Sequence, residues 1–165
     1  MAKRPGFKRR ISALVLAFGV AGGLGACAPV HTLDLFDPSD GVGADLEGEV
    51  KATNLLILTE GQGEQGTLVG SLTNLTYDPL TVEVEVEDAE VITVDLSPQQ
   101  TAYLTPGEPK FDNRTIAVDA LVNSVAAPPG STADVTLTTP SGGAINVDVP
   151  VLDGSIEPYD QFLPE

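Results

Sequence analysis

The side chains of this chain that could do chemistry are a lone thiol, a lone imidazole and a large surplus of carboxylates. Cys27 is the only cysteine and His31 the only histidine among 165 residues, and 24 Asp and Glu face eight Lys and Arg. Nucleophilic catalysis pairs a hydroxyl or thiol with a positioned base, most often histidine. His31 sits in a stretch without periodicity and reads as a solvated linker residue, so neither a Ser-His nor a Cys-His device is expected. Two carboxylates alone suffice for a glycosidase, which leaves a carboxylate-only hydrolase as the enzymatic alternative. Glu83, Glu85 and Glu87, however, alternate with Val82, Val84 and Val86. On a strand this puts the acids on one face and the valines on the other, the pattern of a solvated sheet face. The Asp/Gly-rich run from Asp37 to Asp45 lacks the ligand order and closing Glu of a calcium loop and reads as a flexible turn. No catalytic, cofactor or metal residue is expected.

The setting of Cys27 is more informative. Lys3, Arg4, Lys8, Arg9 and Arg10 form a basic start, Ile11 to Leu24 is an apolar run, and Gly25-Ala26 are small. These are the three parts of a secretory signal. Leu24-Gly25-Ala26-Cys27 resembles a bacterial lipobox. The resemblance implies cleavage between Ala26 and Cys27, a diacylglyceryl thioether at Cys27, and a cell-envelope lipoprotein held on the extracytoplasmic face of the cell membrane. An uncleaved anchor is the alternative, but the apolar run falls short of the roughly 20 residues that cross a bilayer core. Ordinary cleavage leaving a free Cys27 is another. Arg9-Arg10 is followed by Ser12 and Ala13 rather than the bulky apolar residues of a twin-arginine signal, which favours ordinary Sec export.

Removing residues 1–26 sharpens the charge. Lys51, Lys110 and Arg114 then stand against all 24 acidic residues, a formal charge of 3 − 24 = −21. Nucleic acid, whose phosphates demand basic surface, is excluded as a partner. Lying flat on anionic lipid is disfavoured for the same reason, so membrane contact is expected through the lipid at Cys27.

Residues 27–48 carry Pro29, Pro38, several glycines and no sustained period, and are expected to be a tether. From Glu49 the apolar period is two. Strands are expected over 50–58, 67–75, 80–87, 91–96, 100–104, 115–122, 132–139 and 144–151, the last two as a terminal hairpin around Pro140 to Gly143. Leu55-Leu56-Ile57-Leu58 is apolar on both faces and is expected to lie in a central strand. The expected fold is all-β, an Ig-like or cupredoxin-like sandwich of roughly seven or eight strands spanning residues 49–152. Residues 153–165 are expected to be a loose tail. Tyr103 and Phe111 flank Thr105-Pro106-Gly107-Glu108-Pro109, a candidate interaction loop, with core packing or anchoring as the alternative.

Two stretches carry a family resemblance. Gly66 to Asn74 resembles an early strand of bacterial Ig-like domains. Pro129 to Thr138, with Gly142-Gly143 and Ile145 to Val151, resembles the last hairpin of periplasmic copper chaperones, which are cupredoxin-like sandwiches. The mature chain is also similar to the LpqE-type lipoproteins of high-GC Gram-positive bacteria. The copper chemistry of the chaperones rests on His and Met donors. Here the only methionine is Met1 and the only histidine is His31, and Thr115 to Leu121, the segment matching the ligand-bearing strand, has neither. The resemblance therefore implies the scaffold without the family's metal site. The expected function is a non-enzymatic envelope lipoprotein acting as a protein-interaction or scaffold module, with an envelope protein as partner. A metal-handling protein with a degenerate or carboxylate-based site is the alternative.

Overall fold

The computed structural model describes residues 39–87, 89–105, 114–141 and 143–164. The period-two segments form ten strands: β1 Val42–Leu46, β2 Val50–Thr59, β3 Gly66–Asn74, β4 Leu80–Val86, β5 Ile92–Leu96, β6 Thr101–Leu104, β7 Thr115–Val118, β8 Leu121–Val122, β9 Thr132–Thr138 and β10 Ala144–Asp153. They pair in the order β5-β4-β9-β10-β2-β3-β6-β7, with β1 on β2 and β8 on β3. One layer is β1, β2, β3, β6, β7 and β8; the other is β4, β5, β9 and β10. The terminal hairpin is present, β9 and β10 pairing antiparallel from Ala144↔Thr138 to Pro150↔Thr132. The last residues of β10 then run parallel to the end of β2 (Val151↔Ile57 to Asp153↔Thr59) and join the layers along one side.

Alternation fills the space between the layers. Val82, Val84, Val94, Val135, Leu137 and Val149 meet Leu55, Ile57, Leu68, Leu72 and Leu104, all essentially without solvent exposure. Each such side chain taken out of water contributes on the order of 1.5–3 kcal/mol. Glu83, Glu85 and Glu87 are exposed. Thr93 lies opposite Glu83 on β5 and Thr136 opposite Glu85 on β9, so the nearest cross-strand neighbours of these two acids are uncharged.

The structure differs from the sequence reading at three places. Within the stretch expected to be tether, Val42–Leu46 forms β1, antiparallel to the start of β2, and Leu46 is 2 % exposed. Val42, Ala44 and Leu46 have period two, but Gly43 and Asp45 between them conceal it. Second, the strand expected over 115–122 is two strands. β7 runs parallel to β6, the chain turns at Asp119-Ala120, and β8 pairs antiparallel with β3. Buried Ala120 accepts the Leu68 N–H at 2.9 Å and makes the handover. Third, the segment after Asp153 folds back onto β2 and β3. Its 3₁₀ turn, Tyr159–Phe162, and Leu163 pack on Leu56, Leu58 and Val69.

Loop closure at one end rests on Asn74, fully buried at the end of β3. Its Nδ2 donates to the carbonyls of Asp78 (2.9 Å) and Ser97 (3.0 Å), and its Oδ1 accepts from the backbone N–H and hydroxyl of Thr76 (both 2.8 Å). A buried amide is stable only when its polar atoms are paired, as here. Asn74-Leu75-Thr76 matches the N-glycosylation pattern, but the Asn74 amide is structural and closed off from solvent.

Candidate functional site

The most structured irregularity in the sheet lies halfway along β2. Thr53 pairs with Ser71 and Leu56 with Val69, so Asn54 and Leu55 together oppose the single residue Gly70. This is a β-bulge, which inserts one residue and reverses side-chain parity beyond it. Val50 and Ala52 point into the main core before the bulge, and Leu55 and Ile57 after it. Leu56 and Leu58 are thereby turned outward, into a second apolar cluster under the C-terminal segment. The run expected to be central does lie between β10 and β3, and the chain's own tail covers its outer face.

Two backbone adaptations hold the bulge. Asn54 has φ of 53°, left-handed backbone that asparagine tolerates better than most residues. Gly70 opposite has φ of 138°, and a Cβ there would lie 2.8 Å from the Asn54 carbonyl. The bulge also marks where β2 changes neighbour: β1 occupies its edge up to Leu55, and β10 takes over at Ile57.

Beside the bulge, on the outer face of the sheet, is an open groove of about 300 Å³. Thr53, Asn54 and Leu56 of β2, Val69, Gly70 and Ser71 of β3, and Tyr103, Leu104 and Thr105 at the end of β6 line it. Tyr159 and Phe162 of the C-terminal turn close one side. The described lining is mostly apolar and aromatic, carries neutral hydroxyl and amide groups, and includes no charged side chain among its described residues. Such a mixture suits binding and orienting an apolar group.

The wall formed by the tail is tied to the start of the described chain. The Tyr159 hydroxyl donates to the Asp40 carboxylate, and this bond holds the phenol above its ordinary ionisation range. At the tail's first bend, Asp153 accepts the Ser155 hydroxyl at 2.6 Å and its backbone N–H at 2.9 Å, which hold the carboxyl below its ordinary range.

Of the residues singled out from sequence, Cys27, His31 and the Ala26–Cys27 junction lie outside the described residues, as does the 106–113 part of the loop between Tyr103 and Arg114. Tyr103 itself is half-buried and lines the groove. In the Asp37–Asp45 run, Asp37 lies outside the described residues, and the described acids do not converge: Asp40 meets Tyr159, while Asp45 accepts the Gly48 N–H at 2.8 Å and caps the β1–β2 turn. Among the described residues no three His, Cys, Asp or Glu side chains gather as a metal site. Sequence reasoning missed Asn54, Gly70, Tyr159 and Phe162. The one available signal was the doubly apolar Leu55–Leu58 run, which required a cover from elsewhere in the chain.

No family model matches the chain, and no curated protein matches it. Among solved structures it is similar to the apo PCuAC domain from PmoF1, at 15% identity and a TM-score of 0.48, covering 68% of this chain and 99% of that one. It is also similar to the copper-bound PCuAC domain from PmoF2, at 16% identity and a TM-score of 0.47, covering 68% of this chain and 98% of that one.

Proposed function

We propose that this protein is a cell-envelope lipoprotein, anchored through Cys27, that acts by binding and not by catalysis, with the groove beside the β2 bulge as its contact site. The observation that carries the binding half is that groove: a neutral, aromatic-walled recess outside the main core, framed by a bulge and by the chain's own tail. Support for the anchor is the Leu24-Gly25-Ala26-Cys27 run behind a basic start and an apolar stretch. A two-chain lipid gives stable attachment where a single chain does not. The acidic surface keeps the domain off the anionic membrane surface and in solution around its anchor.

Cell fractionation with Cys27→Ala tests the anchor: the variant should leave the membrane fraction as precursor or soluble protein. Membrane-bound variant of normal mature size would end the lipoprotein reading. A photo-crosslinking amino acid at Thr53 or Ser71 in intact cells tests the contact site. Discrete adducts absent when the same group replaces exposed Glu85 support it, and equal labelling from all three positions counts against it.

A further inference from the structure

We propose that the groove holds a single acyl chain of an uncharged membrane amphiphile of the monoacylglycerol class. The inference rests on the lipoprotein reading for where the groove is kept, and on the groove itself for what fits.

Size comes first. The groove has a volume of about 300 Å³. A methylene occupies about as much space as a water molecule in the liquid, ~30 Å³, so about ten would fill it. That is the volume of one medium-length chain segment. The apolar character of the groove comes from Leu56 and Val69, both largely covered by the tail, and from the rings of Tyr103, Tyr159 and Phe162 that line it.

Charge then selects the head group. No charged side chain is among the described residues that line the groove, and the chain after Cys27 has a formal charge of 3 − 24 = −21. A phosphate or carboxylate head would be repelled by this surplus and would find no cation among the described lining residues. A glyceryl head needs only hydroxyl and amide partners, and Asn54 and Ser71 are among the residues that line the groove.

The groove's place in the chain also favours a membrane amphiphile. Asp40 is bonded to Tyr159 on the groove wall, and it stands thirteen residues after Cys27. Thirteen extended residues reach roughly 45 Å at most. An anchor at Cys27 therefore keeps the groove close to the membrane, where uncharged single-chain amphiphiles are enriched.

The test uses the lipidated protein reconstituted into phosphatidylcholine vesicles with a trace of monoacylglycerol bearing a diazirine in its acyl chain. After irradiation, adducts should map to residues 53–56, 69–71, 103–105 and 159–162, and excess unlabelled monolauroylglycerol should suppress them. Ser71→Phe, which fills the groove from the sheet surface, should lower the adduct yield at least fivefold. If S71F also lowers the melting temperature, competition in the unaltered protein decides. A fatty acid carrying the same diazirine and an ionised carboxylate should label at least fivefold less. Adducts scattered over exposed apolar residues such as Tyr77 and Ile156, labelling that competition does not suppress, or equal labelling by the fatty acid would each overturn the proposal. The two readings fail separately: a Cys27 peptide without diacylglycerol refutes the anchor, whereas an acylated Cys27 with no groove adducts refutes the acyl site.

Discussion

The side-chain oxygen of Asn54 accepts the backbone N–H of Gly41 at 2.8 Å, fastening the residue just before β1 to the bulge of β2. The approach is so close that a Cβ on Gly41 would lie 2.6 Å from the Asn54 carbonyl carbon. One residue thus supplies the left-handed backbone of the bulge and the bond that brings β1 to the sheet.

Substitution at this position should separate the two roles. Asn54→Gly keeps the backbone conformation and loses the bond, and is expected to cost about 1 kcal/mol. Asn54→Val loses the bond and forces a β-branched residue into left-handed backbone, adding about 1–3 kcal/mol. Gly70→Ala should cost a similar increment through its own positive φ and its contact with the Asn54 carbonyl. Urea unfolding midpoints measure all three. Equal stability of the Gly and Val variants would contradict the bulge geometry.

The tail should respond to pH at both extremes. The Tyr159 ionisation is raised above its ordinary 10.0 by the bond to Asp40, so its stabilising contribution is intact below that value and lost as pH rises through the folded-state value. Asp153 is shifted below its ordinary 3.8 by Ser155, so its contribution holds above 3.8 and is lost as pH falls through the lowered value. NMR shifts of Phe162 and Leu163 should stay constant between these limits and move outside them. Tyr159→Phe should abolish the alkaline change and Asp153→Asn the acid one. Persistence of both changes in both variants would detach them from these residues.

Converting Glu83, Glu85 and Glu87 together to Gln should leave stability within about 0.5 kcal/mol or raise it, because their side chains meet solvent and repel one another. Val84→Asp, one residue away but wholly buried, should cost several kcal/mol by placing an unpaired charge between the layers. Thermal denaturation of both variants checks the inside and outside of β4 in one comparison. The reverse order of stabilities would invert the assignment.

Copper titration is the fourth expectation. After Cys27 the chain has one histidine, His31, and no methionine, so the soft and imidazole donors that favour copper are scarce. Competition against a Cu(I) chelator should show weak association only. Stoichiometric binding tighter than micromolar would restore the metal-handling alternative.

The sandwich was legible in the sequence because period-two burial is a local property. Val82, Val84 and Val86 against Glu83, Glu85 and Glu87 name their own inside and outside without reference to the rest of the chain. The terminal hairpin was legible for the same reason, with turn residues between two alternating runs. The same local argument required cover on both faces of Leu55–Leu58 but could not name it, because the covering residues, Tyr159, Phe162 and Leu163, lie about a hundred positions away. Nor could it place the groove. A bulge is one unpaired residue, visible only once Thr53 has found Ser71 and Leu56 has found Val69, and strand register follows from the fit of whole sheets. Sequence alone determined most of the strands, the acidic surface and the sparse set of donor side chains. Tertiary structure decided which apolar residues were left to make a site, because that depends on which segment reaches each face of the sheet.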